Sequence, residues 1–190
     1  MNIFLLNECP IISAQEQCNK HVVKMILESA QMLSTVHRLC DGVHYYDVSK
    51  SGRKVSRYTL TDDNELYYKA VHQKHPCVVW TRESKSNYDW HYRHFIALCN
   101  EYTFRYGKTH MSDEKMRVLL SKPPKNIPDV GPTKFRIAMS LFPECIVEDD
   151  PVESYRNYYV TKLSYVKMVW HKREIPEWFL NKMKNSLTEQ

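Results

Sequence analysis

Apolar residues recur with a helical period over most of the chain, and the breaks between the periodic runs predict about five to six helices. Val22, Val23, Met25, Ile26, Ser29, Met32, Leu33 and Val36 keep one stripe buried-like. Ser13-Ala14-Gln15-Glu16 ahead of them has capping-box spacing and Gly42 follows, so one helix of about 25 residues is expected. Residues 43–60 are polar around Ser51-Gly52 and read as a loop or a marginal hairpin. A short helix over 63–73 is expected next, with Asp62 and Glu65 spaced as a second capping box. His75-Pro76 ends it, and Cys77-Val78-Val79-Trp80 is an apolar link.

The following helix begins at Thr81 or Ser84 and runs to Tyr106 with Gly107 as its cap, burying Tyr88, Tyr92, Phe95, Ile96, Cys99 and Tyr102. Ser112 opens a shorter helix to Ser121. The prolines of 122–132 exclude helix, because proline lacks the donor and fixes φ, so this is a surface loop of the same domain. Asp150-Pro151-Val152-Glu153 starts a helix carrying Tyr155, Tyr158, Tyr159, Leu163, Val166 and Val169, and Pro176 starts a last one around Trp178 and Phe179. Strand signals are nearly absent. The expectation is an all-α bundle, one domain over residues 1–190.

Composition narrows the chemistry. The chain of 190 residues is 43% apolar and 26% charged, which excludes disorder as the main state. No apolar run is long enough for a membrane span, and Met1–Glu8 has no basic leader, so a cytoplasmic protein without a membrane partner is expected. Six scattered cysteines form no C-x-x-C pair, and reduced thiols are expected. His72-x-x-His75 and His91-x-x-His94 are the only close histidine pairs of ligand spacing, and no metal site is assigned to them. Four glycines leave no nucleotide-cradling loop and no G-x-S-x-G, so no cofactor is expected. The net charge of +5 is compatible with a polyanion partner without requiring one.

Four constellations can carry chemistry. On the first long helix His21, Lys24, Glu28, Gln31 and Thr35 fall within an arc of about 80° and offer a base, an amine and an acid on one ridge; a solvated face with a Lys24–Glu28 pair is the bland reading. Trp80-Thr81-Arg82-Glu83-Ser84-Lys85-Ser86-Asn87 combines rings, cations, hydroxyls and an amide at a helix start, suited to phosphate and base contact through Trp80, Arg82, Ser84 and Asn87, or else to an aromatic core segment. Lys108 and His110 follow a helix end, where a loop site or a simple cap is possible. Tyr155, Arg156, Tyr159 and Lys162 interleave rings with cations, as a nucleic-acid groove or as tyrosines of the core.

Together these features resemble the small α-helical phage-type pyrimidine-dimer DNA glycosylases. His21 and Glu28 keep the family's seven-residue spacing on the first long helix. His75-Pro76-Cys77-Val78-Val79-Trp80 leads into the next long one, Tyr155-Arg156-Asn157-Tyr158-Tyr159 is similar to its aromatic tail, and the Lys20-His21-Val22-Val23-Lys24-Met25 helix is found in phage proteins carrying that label. The resemblance implies a general acid/base at Glu28, cations holding a kinked duplex, and an extruded pyrimidine. It also implies an α-amine nucleophile exposed by removal of the first methionine, giving a Schiff base and β-elimination. Asn2 departs from the small second residue that removal generally requires, so the amine of Asn2, that of Met1, or Lys24 would serve, with His21 or His110 as proton relay. The expected function is excision of a damaged or modified pyrimidine by a monomeric DNA glycosylase/AP lyase. The alternatives are a pyrimidine-modifying transferase on the same scaffold and a non-catalytic helical DNA-binding protein.

Overall fold

In a computed structural model, residues 1–61 and 64–188 are described. Two long helices form the centre: α2 (Asn19–Asp41) and α4 (Lys85–Tyr106) pack side by side, with α1 (Pro10–Gln15) against α4 and α3 (Pro76–Glu83) against both. α5 (Met111–Met116), α6 (Pro151–Thr161) and α7 (Glu177–Thr188) complete the helical part. Their apolar residues join in one cluster that takes in the opening segment, where Ile3 and Leu6 are fully buried.

Local chemistry explains the best-defined ends. Ser84 caps α4 by accepting the Asn87 N–H at 3.1 Å, and Gly107 ends it at φ 66°, where a Cβ is disfavoured. Asp150 accepts the Glu153 N–H at 2.8 Å, ahead of Pro151 in the first turn of α6.

Five expectations need correcting. The fold is mostly helical but not purely all-α: Val43–Val48 (β1) and Lys54–Thr59 (β2) pair antiparallel, from Val43 opposite Thr59 to Val48 opposite Lys54. The single first helix is two, because Ser13 does not cap. Its hydroxyl donates to the Phe4 carbonyl and accepts the Leu6 N–H, both at 3.1 Å, and the chain breaks at Glu16–Cys18. Arg105, fully buried, fixes that break by donating to the carbonyls of Gln15 and Gln17 and to Asn19.

Residues 64–75 are turns without helix, held to α2 by Arg38, which donates to the carbonyls of Tyr58, Asn64, Tyr67 and Tyr68; the Asp62 cap lies outside the described residues. His75-Pro76 starts α3 instead of ending a helix, the His75 ring accepting the Cys77 N–H at 3.2 Å. The C-terminal tyrosine helix stops at Thr161, passes through a 3-10 turn at Lys162–Ser164 and is extended or turn-like beyond. There Asn19 N–H donates to the Val169 carbonyl and Trp170 Nε1 to that of Glu16, replacing the helical ladder by bonds to the start of α2.

Candidate active site

Glu28 lies mid-way along α2 with only 13% of its side chain exposed. The opening segment of the chain is laid across it. Asn2 N–H donates to Glu28 Oε2 at 3.0 Å, the α-amine of Met1 is 3.7 Å from the same oxygen, and Lys24 Nζ is 3.4 Å from Oε1. Three nitrogens thus converge on one carboxylate at the floor of a cleft of about 300 Å³. Lys20, Lys24, His21 and Met25 of α2 form one side, with Tyr158, Lys162, Tyr165 and Val166 opposite.

The Asn2 side chain holds the backbone in place. Its Oδ1 accepts the N–H groups of Ile3 (2.8 Å) and Phe4 (3.1 Å), and its Nδ2 donates to the Ala138 carbonyl at 3.2 Å. Phe4 sits at φ 56°, a left-handed conformation costly for a bulky residue and sustained here by those bonds. Gln17 Nε2 adds a bond to the Ile3 carbonyl at 3.1 Å. The backbone nitrogens of residues 1 and 2 are therefore fixed from three directions before any substrate arrives.

His21 is nearly buried and contacts Tyr159, whose hydroxyl lies 2.7 Å from Nδ1 and accepts the Cys18 N–H at 2.9 Å. Burial first, then Lys24 and Lys162, lowers its pKa to about 4, so the ring is neutral near pH 7. It is thus a weak base that can still donate a hydrogen bond. Lys162, 5% exposed, places Nζ 3.5 Å over the Tyr158 ring and within 5.4 Å of the Phe142 and Tyr165 rings. No carboxylate is in ion-pair range of it among the described residues, leaving a cation free to meet an anion entering the cleft.

His75 was not singled out as a site residue from the sequence, and it stands at the other edge of this group. Burial, the terminal amine and His72 together lower its pKa. A histidine directly before a helix-starting proline was the available signal.

The other candidates are not brought to the cleft. Trp80 packs on Phe135 (4.3 Å) and donates from Nε1 to the Thr133 carbonyl; Asn87 donates to Trp80 O and Thr133 Oγ1 and accepts from Thr133 N. With Ser84 fully buried, this segment clamps the proline-rich loop, the core reading of its aromatics. Arg82 is half-buried on the same helix and does not line the cleft.

Tyr155 and Tyr159 are fully buried and present no ring face to a base; the Tyr155 hydroxyl accepts the Ala138 N–H instead. Arg156 donates to the Leu6 carbonyl at 2.9 Å and approaches Glu16 and the Trp178 ring. His110 caps α5 by accepting the Ser112 N–H, beside an exposed Lys108.

A larger groove of about 570 Å³, lined by Ile11, Ile96 and Phe104, has its Arg117 and Arg173 already bound to Asp113 and Glu101. The nitrogens gathered on Glu28 lie in the smaller cleft.

No helix among the described residues is long and apolar enough to cross a membrane. Neither curated proteins nor solved structures gave a match. A family model described as pyrimidine dimer DNA glycosylase matches residues 1–115, which include Met1, Asn2, His21, Lys24, Glu28 and His75. The opposite wall of the cleft, from Ala138 to Val166, lies outside that match. With more than half of the chain covered, and the cleft floor inside the covered part, this protein belongs to the pyrimidine dimer DNA glycosylase family, enzymes whose substrate is DNA.

Proposed function

We propose that the protein excises a damaged or modified pyrimidine from duplex DNA and then nicks the strand as an AP lyase, acting as a monomer. The carrying observation is the convergence of the residue 1 and residue 2 nitrogens on Glu28. Whichever of the two is the chain terminus is the nucleophile, and Glu28 is the group that takes and returns protons.

The amine, its proton accepted by the carboxylate, attacks C1′ of the extruded nucleotide. The N–C1′ bond forms, and the glycosidic bond breaks with its electron pair leaving on the base, which is protonated. Loss of the second amine proton and ring opening give the imine. Removal of a C2′ proton then expels the 3′-phosphate, and water releases the enzyme. Lys162, and Lys20 and Lys24 at the rim, hold phosphates beside the site; Tyr158 and Tyr165 offer ring surface to a base taken out of the stack. His21 donates from its neutral ring.

Borohydride reduction in the presence of DNA bearing an abasic site or a cyclobutane dimer tests this. The expected result is a covalent adduct that maps to the first residue of the mature chain and disappears when that amine is acetylated selectively. An adduct lost only in Lys24→Ala moves the nucleophile to Lys24. No adduct, with base change that depends on Glu28, replaces the lyase by a transferase. Binding without product from any substrate leaves a DNA-binding protein.

A further inference from the structure

The β1–β2 hairpin contributes no residue to the buried core cluster. Every residue of β1 is exposed, including Tyr45 and Tyr46, and no part of the catalytic reading uses it. Its charge is one-sided: Lys50, Arg53, Lys54 and Arg57 face a single carboxylate, Asp47.

Register sorts these groups. Arg57 and Asp47 share the face that leans over residues 64–70 and lie 3.6 Å apart. The opposite face carries His44, Tyr46, Val48, Lys54, Ser56 and Tyr58 with no acid among them, and Lys54 Nζ lies 3.8 Å over the Tyr46 ring. Lys50 and Arg53 are exposed at the tip. Three cations and an exposed ring are thus left facing outward.

The root of the hairpin points the same way as the cleft. Thr35, seven residues after Glu28, is about 20° from it around α2. Thr35 Oγ1 accepts the Val71 N–H at 3.1 Å, and Arg38 holds Tyr58, Asn64, Tyr67 and Tyr68 one turn further on. The chain leaving the hairpin therefore runs down the Glu28 side of α2 until His75 meets Met1. From Glu28 to Gly42 is about 20 Å of helix, or about six base pairs of duplex.

We infer that the hairpin is a second DNA-binding element, a ribbon that enters a groove of the same duplex about half a turn from the extruded nucleotide. A major groove admits a two-stranded ribbon, and its phosphate walls complement Lys50, Arg53 and Lys54. The inference rests on DNA being the substrate, and needs no particular chemistry at Glu28.

The test is binding of the full chain to an undamaged duplex and to a single strand of equal length over a range of salt. The triple variant Lys50→Ala/Arg53→Ala/Lys54→Ala should weaken duplex binding about tenfold or more near 0.1 M salt and flatten the salt slope by about two to three. The single strand should lose less. Lys50→Glu at the tip, far from any packing, should flatten the slope by about one and keeps the test valid if the triple variant does not fold. An unchanged slope, or equal losses on duplex and single strand, overturns the ribbon in the groove. Borohydride trapping by the same variants is a separate readout: adducts without a slope change sink the hairpin alone. A slope change without adducts sinks only the lyase.

Discussion

The Glu28 cleft and the Trp80–Trp90 segment look equally well stocked for DNA contact in the sequence, and the fold uses their polar groups in opposite ways. Around Glu28 a neutral His21, an unpaired Lys162 and two backbone nitrogens face an open cavity. Around Trp80 the polar atoms of three of the four candidates are answered inside the protein: Ser84 by Asn87 N–H, Asn87 by Thr133 and Trp80, and Trp80 by Thr133. Residue type is the same evidence in both places. What separates them is where the hydrogen-bonding capacity is spent, since a group satisfied internally has little left for a ligand.

Three experiments bear on that contrast. The largest effect is expected from Glu28→Gln, which keeps the shape but removes the proton acceptor; single-turnover strand cleavage should fall by about a thousandfold with the fold intact by circular dichroism. A fall of less than tenfold would put the chemistry elsewhere.

Next is acid. His21 and His37 are held near pKa 4 and His94 near 3, all by burial before other causes. Each folded value is below the unfolded 6.5, so the unfolded chain binds more protons. Stability is complete above about pH 6.5 and is lost as pH falls toward 4 and below, by about 3 kcal/mol for a single shift of this size. Denaturant titrations at pH 7, 5.5 and 4.5 should show midpoints descending in that order, and Tyr159→Phe, which removes the hydroxyl from His21, should alter this dependence. A flat profile would mean the folded histidines bind protons as readily as those of the unfolded chain.

The smallest is Asn87→Ala. Loss of the clamp on Thr133 should cost about 2 kcal/mol in urea unfolding, read beside a cleavage rate within about twofold of wild type. A selective loss of cleavage with unchanged stability would return that segment to the active site.

Much of the α2 ridge was legible, because the 3.6-residue period places His21, Lys24 and Glu28 on one line without further information. The caps at Ser84, Gly107 and Asp150 were legible for the same reason: each acts within three or four residues of itself. The misread elements were decided from far away. Ser13 has the spacing of a cap but bonds Phe4 and Leu6, and the break after α1 is imposed by Arg105, some 90 positions downstream. For the hairpin, which lacks an Asn-Gly type turn and a buried face, the pattern left a loop and a marginal hairpin both open, and the hairpin is what forms. At the site, Asn2 was weighed for its α-amine and for its effect on methionine removal, not for its side chain. Its amide in fact anchors its own backbone beside Glu28, through a contact with Ala138 that no local pattern encodes.

The placement of Met1 has a practical corollary for anyone handling the protein. Its nitrogen sits at the cleft, so any residues joined ahead of it, including a purification handle, must exit through the mouth of that cleft. A fusion at that end would act as a plug.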